Sequence, residues 1–218
     1  RIYALPAKYG NVAKAYIVQD TQLDSQSGAN SDSRIINPLA LNMYLLGFDA
    51  NKKLVTVNQA VKENIQTYLT QFRMVTDAIN IKNAFVINIG VKFNVLTKVG
   101  YNKEEVVLKS IQRVKDFFNI DKWQIGQPIV LADLAYQISL VDGVSAVVPP
   151  EEDNPNGHPV LITNKFKVGS GYSGNAYDIV GATRGGVVYP SLDPSCFELK
   201  YPNIDIEGRA VGNSTGGN

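Results

Sequence analysis

The sequence holds one histidine and one cysteine among 218 residues, so nucleophilic or metal chemistry built on those side chains must pass through His158 and Cys196. His158 stands between Gly157 and Pro159. A Ser-His-Asp or Cys-His device would depend on it, yet nothing local fixes its ring, and it reads as a solvated loop side chain. Cys196 has no second cysteine to join, which excludes an internal disulfide. It reads as a small buried apolar side chain. One imidazole and one thiol fall short of the nitrogen and sulfur set that zinc takes.

The carboxylates offer no better constellation. Glu151, Glu152 and Asp153 are consecutive, so their side chains diverge into solvent, whereas sugar hydrolysis needs two acids facing one bond. Asp133 and Asp142 lie on, or at the end of, an expected helix that already has a packing role. The polar stretch at 21–33, TQLDSQSGANSDS, lacks the alternate ligand spacing of a calcium loop and reads as solvated. Two glycine-rich stretches, GSGYSG at 169–174 and GATRGG at 181–186, lack the GKS or GKT ending of a phosphate cradle. They read as turns. No catalytic residue, no cofactor-binding residue and no metal ligand is assigned; the expectation is a non-enzyme that carries no cofactor.

Composition narrows the partners. Hydrophobic residues make up 44% and charged residues 19%, values of a globular chain and not of a disordered one. A net charge of +1 sets up no field that would gather nucleic acid or an anionic membrane, so neither is expected as a partner. No stretch approaches the ~20 apolar residues that membrane insertion requires. No cationic start leads into an apolar core and a cleavage site, so no signal peptide is visible. The chain begins with Arg1 and is expected to be part of a longer protein.

The elements that would position these residues are legible from periodicity. Strands are expected near 11–20 and 39–48, with a turn at 49–53. A helix is expected near 58–73, because Val61, Ile65, Tyr68, Leu69 and Phe72 form one stripe of 3.6-residue period. From 84 to 96 the pattern alternates: Phe85, Ile87, Ile89, Val91, Phe93 and Val95 share one face, and Asn88, Lys92 and Asn94 the other. That is a long strand with one buried face and one at least partly wet. A second helix is expected over 103–118, with Asn102 as its cap and Glu105 reaching back in a capping box. Its predicted stripe is Val107, Ile111, Val114 and Phe118. A third helix spans about 128–139, a last core strand 144–148, and Trp123 reads as a core plug.

This order predicts an α+β fold: a ferredoxin-like mixed sheet with helices on one face in residues 1–150, then a linker at 151–160 and a helix-poor β/loop C-terminal region over 161–218. Within the last region, GGVVYPSLDPSCFELKYPNIDIEGR at 185–209 mixes apolar residues with prolines at 190, 194 and 202. Each proline removes a donor and fixes φ, so no long helix runs through it. Short strands fit between the breaks. A ribbon of this kind has no hydrophobic bulk of its own and must lie on its own core or on another subunit.

The segment YPSLDPSCFELKYPNIDIEGR resembles the C-terminal signature of the baseplate wedge proteins of T-even-type contractile-tailed bacteriophages, within the baseplate J-like family. The opening RIYALPAKYGNVAKAYIV and the middle, from VNQAVKENIQTYLTQFRM to LVDGVSAVV, are similar to the same family. The resemblance implies a late virion structural protein of the contractile tail: a wedge subunit that dimerises and helps close the ring around the tail hub. It implies a second copy and other wedge and hub proteins as partners. It also implies a place in the virion tail baseplate, with assembly in the host cytoplasm. On that reading the ribbon residues Tyr189, Leu192, Phe197, Tyr201 and Ile204 are the candidate interface, since tyrosine and large apolar side chains are what interfaces use. Two other classes compete. A carbohydrate- or receptor-binding module of a phage or cell surface could stack aromatics on sugars, and a glycosidase or peptidase would have to use a named carboxylate or His158.

Overall fold

The computed structural model describes residues 12–19, 40–71, 78–150, 154, 157–167 and 169–211. The chain is α+β, as its periodicities predict. The strands that the sequence places in one mixed sheet lie instead in two, and a third, small sheet is formed by residues outside those strands. The chain divides into two compact units inside one strand, at Val86 and Ile87, and not at 151–160. The first unit takes everything described up to Val86, with Gln124–Gly126 and Pro190–Cys196; the second takes the rest. The expected linker does not separate a C-terminal region, because the strand directly after it pairs back onto the long central strand.

In the first unit, β1 (Lys14–Gln19) and β3 (Leu54–Val55) run antiparallel to β2 (Ala40–Phe48). A further strand, β4 (Ala78–Asn83), lies parallel to β2 with Met43 opposite Ile81. Parallel pairing needs a crossover, and α1 (Gln59–Thr70) supplies it. Asn58 caps α1 by accepting from the Val61 amide at 2.9 Å. Ile65 and Leu69 are buried, and with Val61 and Tyr68 they pack on Met43, Leu45, Val57, Ile79 and Ile81. Phe72, the last member of the predicted stripe, lies outside the described residues.

The second unit is built on β5 (Phe85–Thr97). On one edge β5 pairs antiparallel with β7 (Val144–Val148) and β8 (Val160–Asn164). Also bonded to β5 are β11 (Ser195–Glu198) and, in parallel, β12 (Ile206–Val211), with Ile206 opposite Val91. Two helices cover one face of this sheet: α2 (Lys103–Phe117) packs against β12, and α3 (Leu131–Ser139) against β7 and β8. A small sheet of β6 (Ile129–Val130), β9 (Thr183–Arg184) and β10 (Val187–Val188) joins them, with two one-turn helices, α4 (Ile179–Ala182) and α5 (Pro202–Asp205). Among the described residues no helix is long and apolar enough to cross a membrane.

Local chemistry explains where these elements depart from the predicted bounds. Ile129 and Val130 pair with Val188 and Val187, so α3 starts at Leu131 and not at 128. Asn102 caps α2, accepting from the amides of Glu104 at 2.9 Å and Glu105 at 3.4 Å. Glu105 turns to Lys109 Nζ at 2.7 Å, an i,i+4 pair, where the sequence suggested a return to the cap. Of the predicted stripe Val114 and Phe118 are buried and Val107 and Ile111 half-buried, while Val106 and Ser110, one residue before the last two, take the buried positions. Ser110 can sit there because its hydroxyl donates to the Val106 carbonyl at 2.8 Å. Trp123 is 4% exposed and packs with Phe117 and Phe118, at ring separations of 5.8 and 5.2 Å.

Along β5 the apolar face from Ile87 to Val95 is buried as expected, while Phe85 at its start is 48% exposed. The opposite face changes character along its length. Lys92, Asn94 and Leu96 are half-buried, but Val86, Asn88 and Gly90 are buried. That half of the supposedly wet face is dry.

Candidate functional site

The dry half of β5 is where the C-terminal segment is anchored. Asn88 is fully buried and its side chain works in both directions. Its Nδ2 donates to Glu198 Oε2 at 2.8 Å, and its Oδ1 accepts from the Ser173 amide at 2.7 Å. Its carbonyl accepts from the Lys165 amide at 2.9 Å and from Asn164 Nδ2 at 3.0 Å. Asn164 Oδ1 in turn accepts from the Tyr177 amide at 2.8 Å. A second node lies on α5. Pro202 occupies its first turn, where a missing amide costs nothing and φ is preset. Asp205, 1% exposed, accepts from the Tyr172 hydroxyl at 2.5 Å and from the Tyr201 amide at 2.8 Å. Tyr172 and Tyr201 meet edge to face at 5.3 Å.

These two nodes tie the 170–177 loop to β5, β8 and α5, all within the second unit. Burial of the Tyr172 ring, and then its hydrogen bond to Asp205, push the phenol pKa well above its ordinary value. Tyr177 is raised by burial and then by the charge of Asp178; its hydroxyl donates to the Tyr189 carbonyl at 2.7 Å. Both buried carboxylates have donors directed at them, which is what an anchoring acid requires. On the open face of the sheet Lys92 pairs with Glu207 at 3.1 Å, opposite it across β5 and β12, and Lys165 reaches the same carboxylate at 3.9 Å.

The five candidate interface residues have separate fates. Leu192 is 66% and Ile204 69% exposed, and Tyr189 is half in solvent while its amide donates to the Ala182 carbonyl at 3.1 Å. Tyr201 is half-buried against Tyr172. Phe197 is 1% exposed, with its ring 6.2 Å from that of Tyr177, and is a core residue with no surface to offer. Its neighbour Cys196 is fully buried, with Sγ 3.7 Å from the Gln124 carbonyl.

The other residues singled out for chemistry remain apart from this anchor. His158 is half-buried, with its carbonyl accepting from Asn154 Nδ2 at 2.8 Å, and it borders a cavity of about 20 Å³ with Ile162, Ile179 and Val188. That volume suits one water. Asp133 and Asp142 are exposed, and residues 151–153 lie outside the described residues. Among the described residues no three His, Cys, Asp or Glu side chains converge to hold a metal. Sequence reasoning missed the anchoring roles of Asn88, Asn164, Glu198 and Asp205, and it read Tyr201 as an interface residue where its ring packs on Tyr172. The available signal was a polar residue inside an apolar run, as in FVINI and CFEL.

Compared with known protein families and with curated proteins, the chain matches no family model and no curated protein.

Proposed function

We propose that this chain is a structural subunit of a phage tail baseplate wedge, that it pairs with a second copy of itself, and that its copies help form the ring around the tail hub. Other wedge and hub proteins are its remaining partners. Its place is the virion baseplate, with assembly in the host cytoplasm, and its role is mechanical and not catalytic. The observation that carries this reading is the resemblance of residues 189–209 to the wedge signature, joined to how that segment is displayed. Phe197, Asp205 and Ile206 fasten it inside the fold, while Leu192 and Ile204 stay exposed at its turns. Large apolar side chains held in water on an anchored segment favour a protein partner.

A sugar-binding surface is the weaker reading, because Trp123, the side chain best suited to stack on a sugar, is inside the aromatic cluster with Phe117 and Phe118. Light scattering at tens of micromolar tests the proposal. The expected result is a mass above that of one chain, lowered by Ile204→Asp. A strict monomer that no wedge protein shifts overturns it.

A further inference from the structure

Helices cover one face of the β5-centred sheet, and the other face carries charge that its own strands answer only in part. Register fixes which side chains share that open face. Gly208 lies opposite Phe93, and a Cβ placed on it would meet the Phe93 ring at 2.7 Å, so Gly208 belongs to the helix-covered side. Its neighbours Glu207 and Arg209 therefore project from the open side, opposite Lys92 and Asn94. Lys165, just beyond β8, reaches the same place from across the sheet. Its side chain passes over Gly90, where a Cβ would lie 2.5 Å from Lys165 Cε, and its ammonium comes to Glu207.

Three cations converge there on one acid. Lys92 Nζ and Lys165 Nζ stand 3.1 and 3.9 Å from the two oxygens of Glu207. Arg209 follows two residues along β12, is exposed, and has no ion pair among the described residues. Glu207 is the one acid in β5, β7, β8 and β12, and the Asp205 carboxylate is turned inward to Tyr172 and Tyr201. The side chains of Lys92 and Lys165 are only 29% and 28% exposed, so both are partly desolvated and held in place, which strengthens their attraction for an added charge. Beside the same Gly90, the buried Thr163 Oγ1 has no hydrogen-bond partner. Further along the face the surface turns apolar, with half-buried Leu96 opposite Val211, which is 40% exposed.

We propose that this face docks an extended acidic segment of another protein, with one carboxylate between Lys92 and Lys165, the next on Arg209, and an apolar side chain beyond them on Leu96 and Val211. The surplus of two positive charges calls for two carboxylates. Their spacing follows from the sheet: residues two apart on a strand lie about 7 Å apart on one face, and an extended segment repeats its own side chains at that interval. A nucleic-acid strand is the competing polyanion. It needs a broad basic field, which a net charge of +1 does not supply, and it has nothing to place on Leu96 and Val211. The proposal goes beyond the baseplate reading and does not depend on it, because the partner is recognised by its acids and not by its origin.

Fluorescence anisotropy of the full chain with a labelled peptide, ten residues alternating glutamate and threonine and closed by leucine, tests it. The peptide is expected to bind at low salt and to weaken as salt rises. Arg209→Glu and Lys165→Glu are each expected to weaken it about tenfold, and the same peptide with glutamine in place of glutamate should not bind. Arg113→Glu, exposed on α2 over the covered face, should leave binding unchanged. Arg209 is exposed, so its variant should melt at the wild-type temperature and keeps the test open if Lys165→Glu fails to fold. A wild-type chain that ignores the peptide overturns the proposal, as does an equal loss in Arg113→Glu. A thymidine oligonucleotide of the same charge that binds more tightly than the peptide overturns it too. Self-association is a separate readout, so failure here leaves the baseplate reading as it stands.

Discussion

Asn88 makes four hydrogen bonds from a position with no exposure to water, two through its side chain and two through its carbonyl. Replacing it with alanine removes a donor from a buried carboxylate and an acceptor from the Ser173 amide. Groups stripped of a partner inside a protein cost their desolvation, so Asn88→Ala is expected to destabilise by about 2–4 kcal/mol. The check is the midpoint of urea unfolding; a midpoint within error of wild type would mean that the network contributes nothing. The sequence marked Asn88 only as a polar residue inside an apolar run, and nothing in it gave the partners. Asn88 alternates with apolar neighbours as a wet-face residue does, and its partner Glu198 is 110 residues away. Ser110 misled for the same reason, since a hydroxyl bonded to its own helix counts as polar in a periodic pattern and as apolar in a core.

Elements with long, regular patterns were the readable ones, β5, α1 and α2 with its Asn102 cap, and so was the turn at 49–53; the Asn58 cap of α1 was not read. Short ones were not. The strands β6, β9 and β10 have two residues each, and only their pairing makes them strands. Two strand glycines show why packing is hidden from pattern. A Cβ at Gly90 would lie 2.8 Å from Thr163 Oγ1, and one at Gly208 would lie 2.7 Å from the Phe93 ring. The sequence marks a strand proline as a break at 202, but the same proline opens α5 and brings Asp205 to Tyr172. That contact makes the loop and α5 sensitive to alkali. The phenol of Tyr172 has a raised pKa in the folded chain, so its contribution is intact below the unfolded value near ~10 and is lost as pH rises towards the folded one. Wild type should therefore lose more of its urea midpoint between about pH 9 and pH 11 than Tyr172→Phe does. Parallel losses in the two proteins would remove the Asp205 contact from the account.

For the molecule as a whole, the α+β class followed from the sequence, and the division into units did not. A boundary was expected at a polar, proline-broken stretch, yet β8 returns across it to β5, and the chain divides within β5 itself. The ribbon read as needing a partner surface finds much of it in this chain: β11 is buried along its whole length, and β12 extends β5 in parallel. On the ribbon itself Tyr189, Leu192 and Ile204 remain outward. An assembly subunit needs that combination, since each copy must hold its own shape before it holds a neighbour. The most direct test of the proposed baseplate role is electron cryomicroscopy of purified contractile phage tails assembled with this chain present. The account predicts density for the β5-centred unit in the ring around the tail hub, in paired copies that meet through the exposed residues named here. Purified tails that lack the chain altogether would contradict it.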